Sequence, residues 1–178
     1  MVVKIKALKT KPPAQSAAKT YRHAAQARVL IIEGRFYDAI SDELANGAIA
    51  ALEAQGVGYD RITVPGALEI PQVLAQAASA GLIPRSAASG RWDGAVALGC
   101  VIRGETSHYD IVCNNANHWL MEVAIRHSIP LGNGILTVDT EAQAMARAQG
   151  GADGKGGDAV RACLSVIELV HTFERQEV

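Results

Sequence analysis

The run Gly94-Ala-Val-Ala-Leu-Gly99 has no polar side chain at either parity. A strand with one wet face alternates apolar and polar residues, whereas a strand without alternation is dry on both faces. Such a strand sits inside a sheet with helices packed above and below it, which commits the chain to a layered α/β arrangement. Neighbouring segments fit that frame. Arg28-Val-Leu-Ile-Ile-Glu33 is a β-branched run of strand length, Tyr59 to Val64 reads as a second strand, and Ile135-Leu-Thr-Val138 belongs to another. Between them, residues 39–56 place Ile40, Leu44, Ala48, Ala51 and Leu52 at helical spacing, with Gly56 as the stop. Further helical patterns cover 67–80, about 107–128, 140–148 and 157–175, the last two joined by a Gly-rich hinge, GGADGKGG. Residues 81–93, with Pro, Ser and Gly, read as a loop. Strands alternating with helices predict right-handed crossovers and a four-stranded parallel sheet flanked by helices on both faces.

Charge and cysteine usage narrow the function classes. Residues 1–28 hold seven of the 17 Lys and Arg and no acid, so the remainder carries ten basic against 18 acidic residues. A body that acidic is a poor ligand for nucleic-acid backbones. Residues 1–27 read as a basic, disordered N-terminal arm or as an organelle-targeting segment, and 28–178 as a single α/β domain. No apolar run reaches the ~18 residues of a membrane span. Cys100, Cys113 and Cys163 form no CxxC pair, which favours a reducing, cytoplasmic setting with the thiols in or near the core. No HxxxH or HExxH spacing occurs, so no metal is expected.

In a parallel sheet the reactive groups belong in the loops after the strands. The first, Gly34-Arg35-Phe36-Tyr37-Asp38, concentrates two of the eight aromatics. Phe36 there is either a stacking platform for a planar heterocycle or a cover for the sheet end. The loop has neither the GxGxxG nor the Walker pattern of a nucleotide-phosphate cradle. In the second, Val64-Pro65-Gly66-Ala67-Leu68-Glu69-Ile70-Pro71, Gly66 allows close backbone approach to a ligand. Glu69 either complements the helix dipole or accepts hydrogen bonds from a polyol. The third runs from Gly99 to Asp110, and Ser107 with Asp110 fits a capping box that starts a helix. Amides near Glu105 and Thr106 would then face an anion, with His108 beside them as the side chain suited to moving protons near neutrality. Arg147 and Lys155 lie close to the Gly-rich hinge, where such cations bind phosphate or are simply solvated, and Asp158 begins the terminal helix as a candidate cap.

Taken in order, GRFYDAI, TVPGALEIP, ALGCVIRGETSHYDIV, GILTVDTEAQAMARA and KGGDAV resemble the lumazine synthases over about residues 28–175. The pairing of VPGALEIP with GCVIRGETSHYD is the specific part. The resemblance implies a three-layer flavodoxin-like fold and the penultimate step of riboflavin biosynthesis. In that step 5-amino-6-(D-ribitylamino)uracil and 3,4-dihydroxy-2-butanone 4-phosphate condense to 6,7-dimethyl-8-ribityllumazine, phosphate and water, with no cofactor. It implies that Phe36 stacks on the pyrimidine, that Gly66, Ala67 and Glu69 hold the ribityl chain, and that Val101 and Ile102 meet the uracil edge. Glu105 and Thr106 would bind phosphate through backbone N–H groups, completed by Arg147 of an adjacent subunit with Asp158 orienting it. Lys155 would reach the pyrimidine carbonyl, and His108 would transfer protons.

Two positions depart from the family pattern: Asn133 stands where many members carry a pocket-closing aromatic, and Glu105 where many have Ala. LGNGILTV with RGETSHYD is closer to the α-proteobacterial branch, which implies a homopentamer rather than a sixty-subunit capsid and raises riboflavin synthase as an associating partner. A flavin-binding electron carrier would need a hydroxyl-rich loop after the first strand. A signalling receiver would need an acidic pair there and an Asp after the third strand, where Leu98-Gly99-Cys100 stands. Neither fits. A slow or non-catalytic paralogue that binds lumazine or riboflavin is the remaining alternative, motivated by Asn133.

Overall fold

Strands β1 (Arg28–Gly34) and β3 (Gly94–Ile102) lie side by side at the centre of a parallel sheet in a computed structural model of the chain, which describes Tyr21 and residues 26–175. The sheet is completed by β2 (Gly58–Val64) beside β1 and β4 (Leu131–Val138) beside β3, giving the order β2-β1-β3-β4. Helices α1 (Asp38–Ala54), α4 (Glu141–Ala148) and α5 (Lys155–Glu174) cover one face, and α2 (Ile70–Ser79) with α3 (His108–Arg126) covers the other.

The two faces are two apolar layers. Val29, Ile31, Val96 and Leu98 project toward Leu44, Ala48, Val160 and Leu164. The alternate residues Leu30, Ile32, Ala95 and Ala97 project toward Ile70, Leu74 and Leu120. The first seven residues of β3 are all buried, as the lack of alternation in 94–99 predicts. Each fully buried Leu or Ile contributes ~1.5–3 kcal/mol of transfer free energy, so this double-sided burial dominates the stability. The three-layer α/β class expected from the sequence is the one observed. Among the described residues no helix is long and apolar enough to cross a membrane.

Four details differ from the sequence expectation. β3 continues through Cys100, Val101 and Ile102, which pair with Leu136, Thr137 and Val138. β4 begins at Leu131 rather than near 135, because Gly132 and Gly134 hide its first half. A side chain at Gly132 would place Cβ 1.9 Å from the Ala159 carbonyl oxygen, so the glycine is there for the close approach of α5. The stretch predicted as a hinge is shorter, since α5 starts at Lys155 and Gly156 and Gly157 lie inside it. Residues 67–69 form a separate 3-10 turn, and α2 proper starts at Ile70.

Most of the N-terminal arm, residues 1–20 and 22–25, falls outside the described residues. At Tyr21, within the stretch read as a solvated arm, the ring is buried against the body. Its hydroxyl lies 3.3 Å from both the Arg161 carbonyl and Ser165 Oγ, so an aromatic anchor on α5 outweighs the surrounding basic composition.

The seam between α1 and α5 depends on Gly156, whose added Cβ would sit 2.0 Å from the Leu44 carbonyl oxygen. That neighbour is backbone and cannot rotate away. Gly156→Ala is therefore expected to lower unfolding free energy by about 1–3 kcal/mol, measured by urea denaturation. An unchanged midpoint would show that the seam has slack.

Candidate functional site

From β1 the chain moves outward to β2 on one side and later returns to β3 on the other, so the loops part at the carboxyl ends of the two central strands. A cavity of about 200 Å3 opens there. Phe36 and Tyr37 follow β1, Gly66 and Ala67 follow β2, and Cys100, Val101 and Ile102 end β3. Gly104, Thr106, His108, Tyr109 and Val112 close the third side. A shallower groove of about 230 Å3 shares Phe36, Gly66, Ala67 and His108 and runs on past Pro65 and Leu68 to Glu69.

The loops after β1 and β2 are pressed together. A Cβ on Gly34 would lie 2.9 Å from the carbonyl carbon and oxygen of Gly66, so only glycine permits this contact. The Arg35 N–H donates to the Val64 carbonyl at 2.9 Å, and Ser41 Oγ donates to the Gly34 carbonyl at 3.2 Å. On this base Phe36 projects outward with 71% of its surface exposed, its ring edge-on to Tyr37 at 4.9 Å. Burial pushes the Tyr37 hydroxyl upward. At the far end of the groove, Glu69 Oε2 lies 3.4 Å from where a Gly66 side chain would begin. Glu69 is the residue preceding α2 and makes no side-chain cap bond there, which leaves its carboxylate available to the groove.

The turn between β3 and α3 is built differently from the expected capping box. Ser107 precedes the helix but caps nothing with its side chain; Thr106 Oγ1 accepts from the His108 N–H at 3.4 Å instead. Asp110 turns toward Arg103, with Oδ1 at 3.5 Å from the guanidinium. Arg103 in turn donates to Asp139 at 3.1 Å and lies 4.0 Å from the Tyr109 ring centroid, a cation–π contact that ties the turn to the end of β4. A competing cation has drawn away the carboxylate that the box required.

Within the cavity wall, burial pushes the Cys100 thiol up to about 11, with Cys113 adding to the effect. A thiol so protonated is a poor nucleophile at neutral pH. Cys100 and Cys163 are buried as expected, and Cys113 is half-buried on α3.

Seven of the residues singled out from the sequence therefore meet at one cavity: Phe36, Gly66, Ala67, Val101, Ile102, Thr106 and His108. Glu69 lies on the adjoining groove. Glu105 is exposed in the turn between β3 and α3. Arg147, Lys155, Asp158 and Asn133 are not in the wall of this cavity. Arg147 is exposed and donates to the Gln143 carbonyl at 3.0 Å. Desolvation, the largest single effect on Asp158, raises its carboxyl, but Lys155 at 2.7 Å and Arg161 at 2.6 Å together outweigh it and hold the carboxyl below the usual range. Asn133 donates to Asn117 Oδ1 at 2.6 Å and accepts from the Ile135 N–H. Sequence reasoning missed Tyr109 and Val112 as wall residues; the signal was their spacing from His108, one and four positions on, which places them on one side of a helix.

Comparison with known proteins bears on this arrangement. Residues 26–171 match the 6,7-dimethyl-8-ribityllumazine synthase family. A 6,7-dimethyl-8-ribityllumazine synthase of Azorhizobium caulinodans is 54% identical over 143 residues, covering 80% of this chain and 86% of the relative. One from Methylobacterium radiotolerans is 53% identical over 145 residues, covering 82% and 83%. A protein of Rhodopseudomonas palustris named 6,7-dimethyl-8-ribityllumazine synthase 1 is 51% identical over 144 residues, covering 80% and 85%. Since the family match takes in all four strands and every loop that lines the cavity, the chain belongs to the 6,7-dimethyl-8-ribityllumazine synthase family.

Proposed function

We propose that this chain condenses 5-amino-6-(D-ribitylamino)uracil with 3,4-dihydroxy-2-butanone 4-phosphate to give 6,7-dimethyl-8-ribityllumazine. The observation that carries this reading is the convergence on one cleft of an exposed aromatic face, Phe36, a groove ending in a carboxylate, Glu69, and an imidazole at the start of a helix, His108. The pyrimidine stacks on Phe36 with its edge against Val101 and Ile102. Its ribityl chain lies along Gly66 and Ala67, where Glu69 accepts from the hydroxyls. The phosphate of the second substrate takes the positive end of α3, near the Glu105 and Thr106 N–H groups.

The chemistry asks mainly for positioning and proton movement. The pyrimidine amine attacks the ketone and water leaves to form an imine. Phosphate is then eliminated, the resulting enol tautomerises and turns, and attack by the ribityl-bearing nitrogen closes the ring with loss of a second water. His108, beside both the phosphate position and Phe36, moves protons in these steps. Nothing in the sequence of steps calls for a metal or a redox cofactor.

A protomer carries half of this site. At about 200 Å3 the cavity is smaller than the ~300–1,000 Å3 usual for ligand sites. The cation that the phosphate requires, Arg147, and the one assigned to the pyrimidine carbonyl, Lys155, both lie off its wall. An adjacent copy supplies Arg147, oriented by Asp158, together with Lys155 at the pyrimidine carbonyl and Asn133 at the mouth. Apolar side chains left exposed along α3, Ile111, Trp119 and Ile125, support association between copies. The assembly is read as a homopentamer in the cytoplasm, where three free cysteines stay reduced and riboflavin synthase is available as the consumer of product. Residues 28–178 form its catalytic domain, with 1–27 as an appended arm.

Two substitutions separate the roles. His108→Ala is expected to lower kcat on the order of tenfold to a hundredfold while riboflavin affinity, followed by fluorescence quenching, stays near wild type; unchanged turnover would remove His108 from proton transfer. Arg147→Ala should raise KM for the butanone phosphate by about tenfold or more with little change for the pyrimidine. Equal effects on both substrates would argue against a phosphate clamp.

A further inference from the structure

Among the described residues two polar or charged side chains are buried, Glu33 and Ser41, and both hold the loop that carries Phe36. Ser41 donates to the Gly34 carbonyl. Glu33, fully buried at the end of β1, accepts from Arg35 at 2.6 Å and from Arg61 of β2 at 2.5 Å. A carboxylate removed from water in this way is costly to keep unless cations meet it directly. The Arg35 guanidinium then continues to α1, donating to Asp42 at 2.8 Å and to Asp38 at 3.0 Å. One side chain thus spans the loop from the last residues of β1 to the first two turns of α1. Tyr37 in the cap position makes no cap bond, so this end of the helix is fastened by the Arg35 bridge and by the single bond from Ser41 to the Gly34 carbonyl.

Phe36 is not held by its own surroundings. With 71% of its surface exposed and an edge contact to Tyr37, its ring takes its position from the backbone beneath it. That backbone is Arg35, whose N–H is bonded to Val64 and whose side chain points the other way into the carboxylates. Stacking needs the ring held to within ~0.5 Å and 10–20° of its productive place, which packing or hydrogen bonds of supporting residues must supply.

We propose that Arg35 is a positioning residue for the pyrimidine substrate: locked between Glu33 and the Asp38–Asp42 pair, it fixes the backbone from which Phe36 projects into the cavity. This rests on the reading of Phe36 as the stacking platform. The fork of the guanidinium is what the geometry uses, because three carboxylates on two elements are bridged by separate N–H groups. A lysine offers one ammonium and cannot reach them together.

The test is a double-mutant cycle in steady-state kinetics on the purified full-length protein, with thermal midpoints recorded alongside. Arg35→Gln is expected to raise KM for the pyrimidine by about tenfold, with KM for the butanone phosphate and kcat each within about threefold. Arg35→Lys should recover only part of that loss. On a Phe36→Ala background, Arg35→Gln should add nothing further to the pyrimidine KM, because the residue acts through the ring. Multiplying effects, or an equal rise in both KM values, would overturn the proposal. Phe36→Ala without effect on the pyrimidine KM would instead remove the stacking reading itself. If Arg35→Gln does not accumulate as folded protein, the exposed Asp38→Asn/Asp42→Asn pair decides: a selective rise in the pyrimidine KM supports the clamp, and unchanged kinetics overturn it.

Discussion

β3 is paired along both edges and dry on both faces, and the rest of the molecule is arranged around that fact. A strand with no wet side must be covered by helices above and below, which forces α1 and α5 to one face of the sheet and α2 and α3 to the other. Since the crossovers leave β1 and β3 in opposite directions, their loops diverge, and the cleft at the carboxyl ends follows from the topology. The candidate site is thus a by-product of how the core is covered. Its walls are the strand ends themselves, which is why a rigid sheet can present a shaped cavity with few polar groups of its own.

That cleft is mostly apolar, and its electrostatics are outsourced. Charge appears in three places: Glu69 at the end of the groove, Arg103 behind the turn before α3, and the Glu33–Arg35 network beneath Phe36. Arg103 and Arg35 are consumed by carboxylates, so neither is free to neutralise a phosphate. The remaining cations of interest, Arg147 and Lys155, sit around the junction of α4 and α5, away from the cavity wall. Under the proposed reading, one protomer with this distribution stacks and orients a neutral heterocycle but lacks a cation for a phosphorylated partner, which would give association between copies a chemical reason.

Much of this was legible in the chain. The unbroken apolar run at 94–99 identified the central strand, and the aromatic pair after β1, the VPGALEIP turn and His108 fell where strand ends put ligands. What was not legible has physical causes. Gly132 and Gly134 interrupt the strand pattern of β4 because α5 passes too close for side chains. Gly156 and Gly157 look like a hinge for the same reason, although they lie inside α5. Ser107 and Asp110 have the spacing of a capping box, but Arg103 of the same loop competes for Asp110, and its place is set by a tertiary contact with Asp139. Glu33 reads as the polar end of a strand and Arg35 as a loop residue, until burial shows that one is dry and the other spans two elements. Contributions from a neighbouring copy were suggested only by resemblance, since no local pattern in one chain encodes them.

The most direct test of the account is the rate of lumazine formation when purified protein is mixed with the ribitylamino-uracil and the butanone phosphate. It is followed by absorbance against a blank without protein, because the two substrates condense slowly unaided. The account predicts a protein-dependent rate that saturates in both substrates. A rate no greater than the blank, from folded protein that still binds riboflavin, would contradict it and leave a binding protein built on the same cleft.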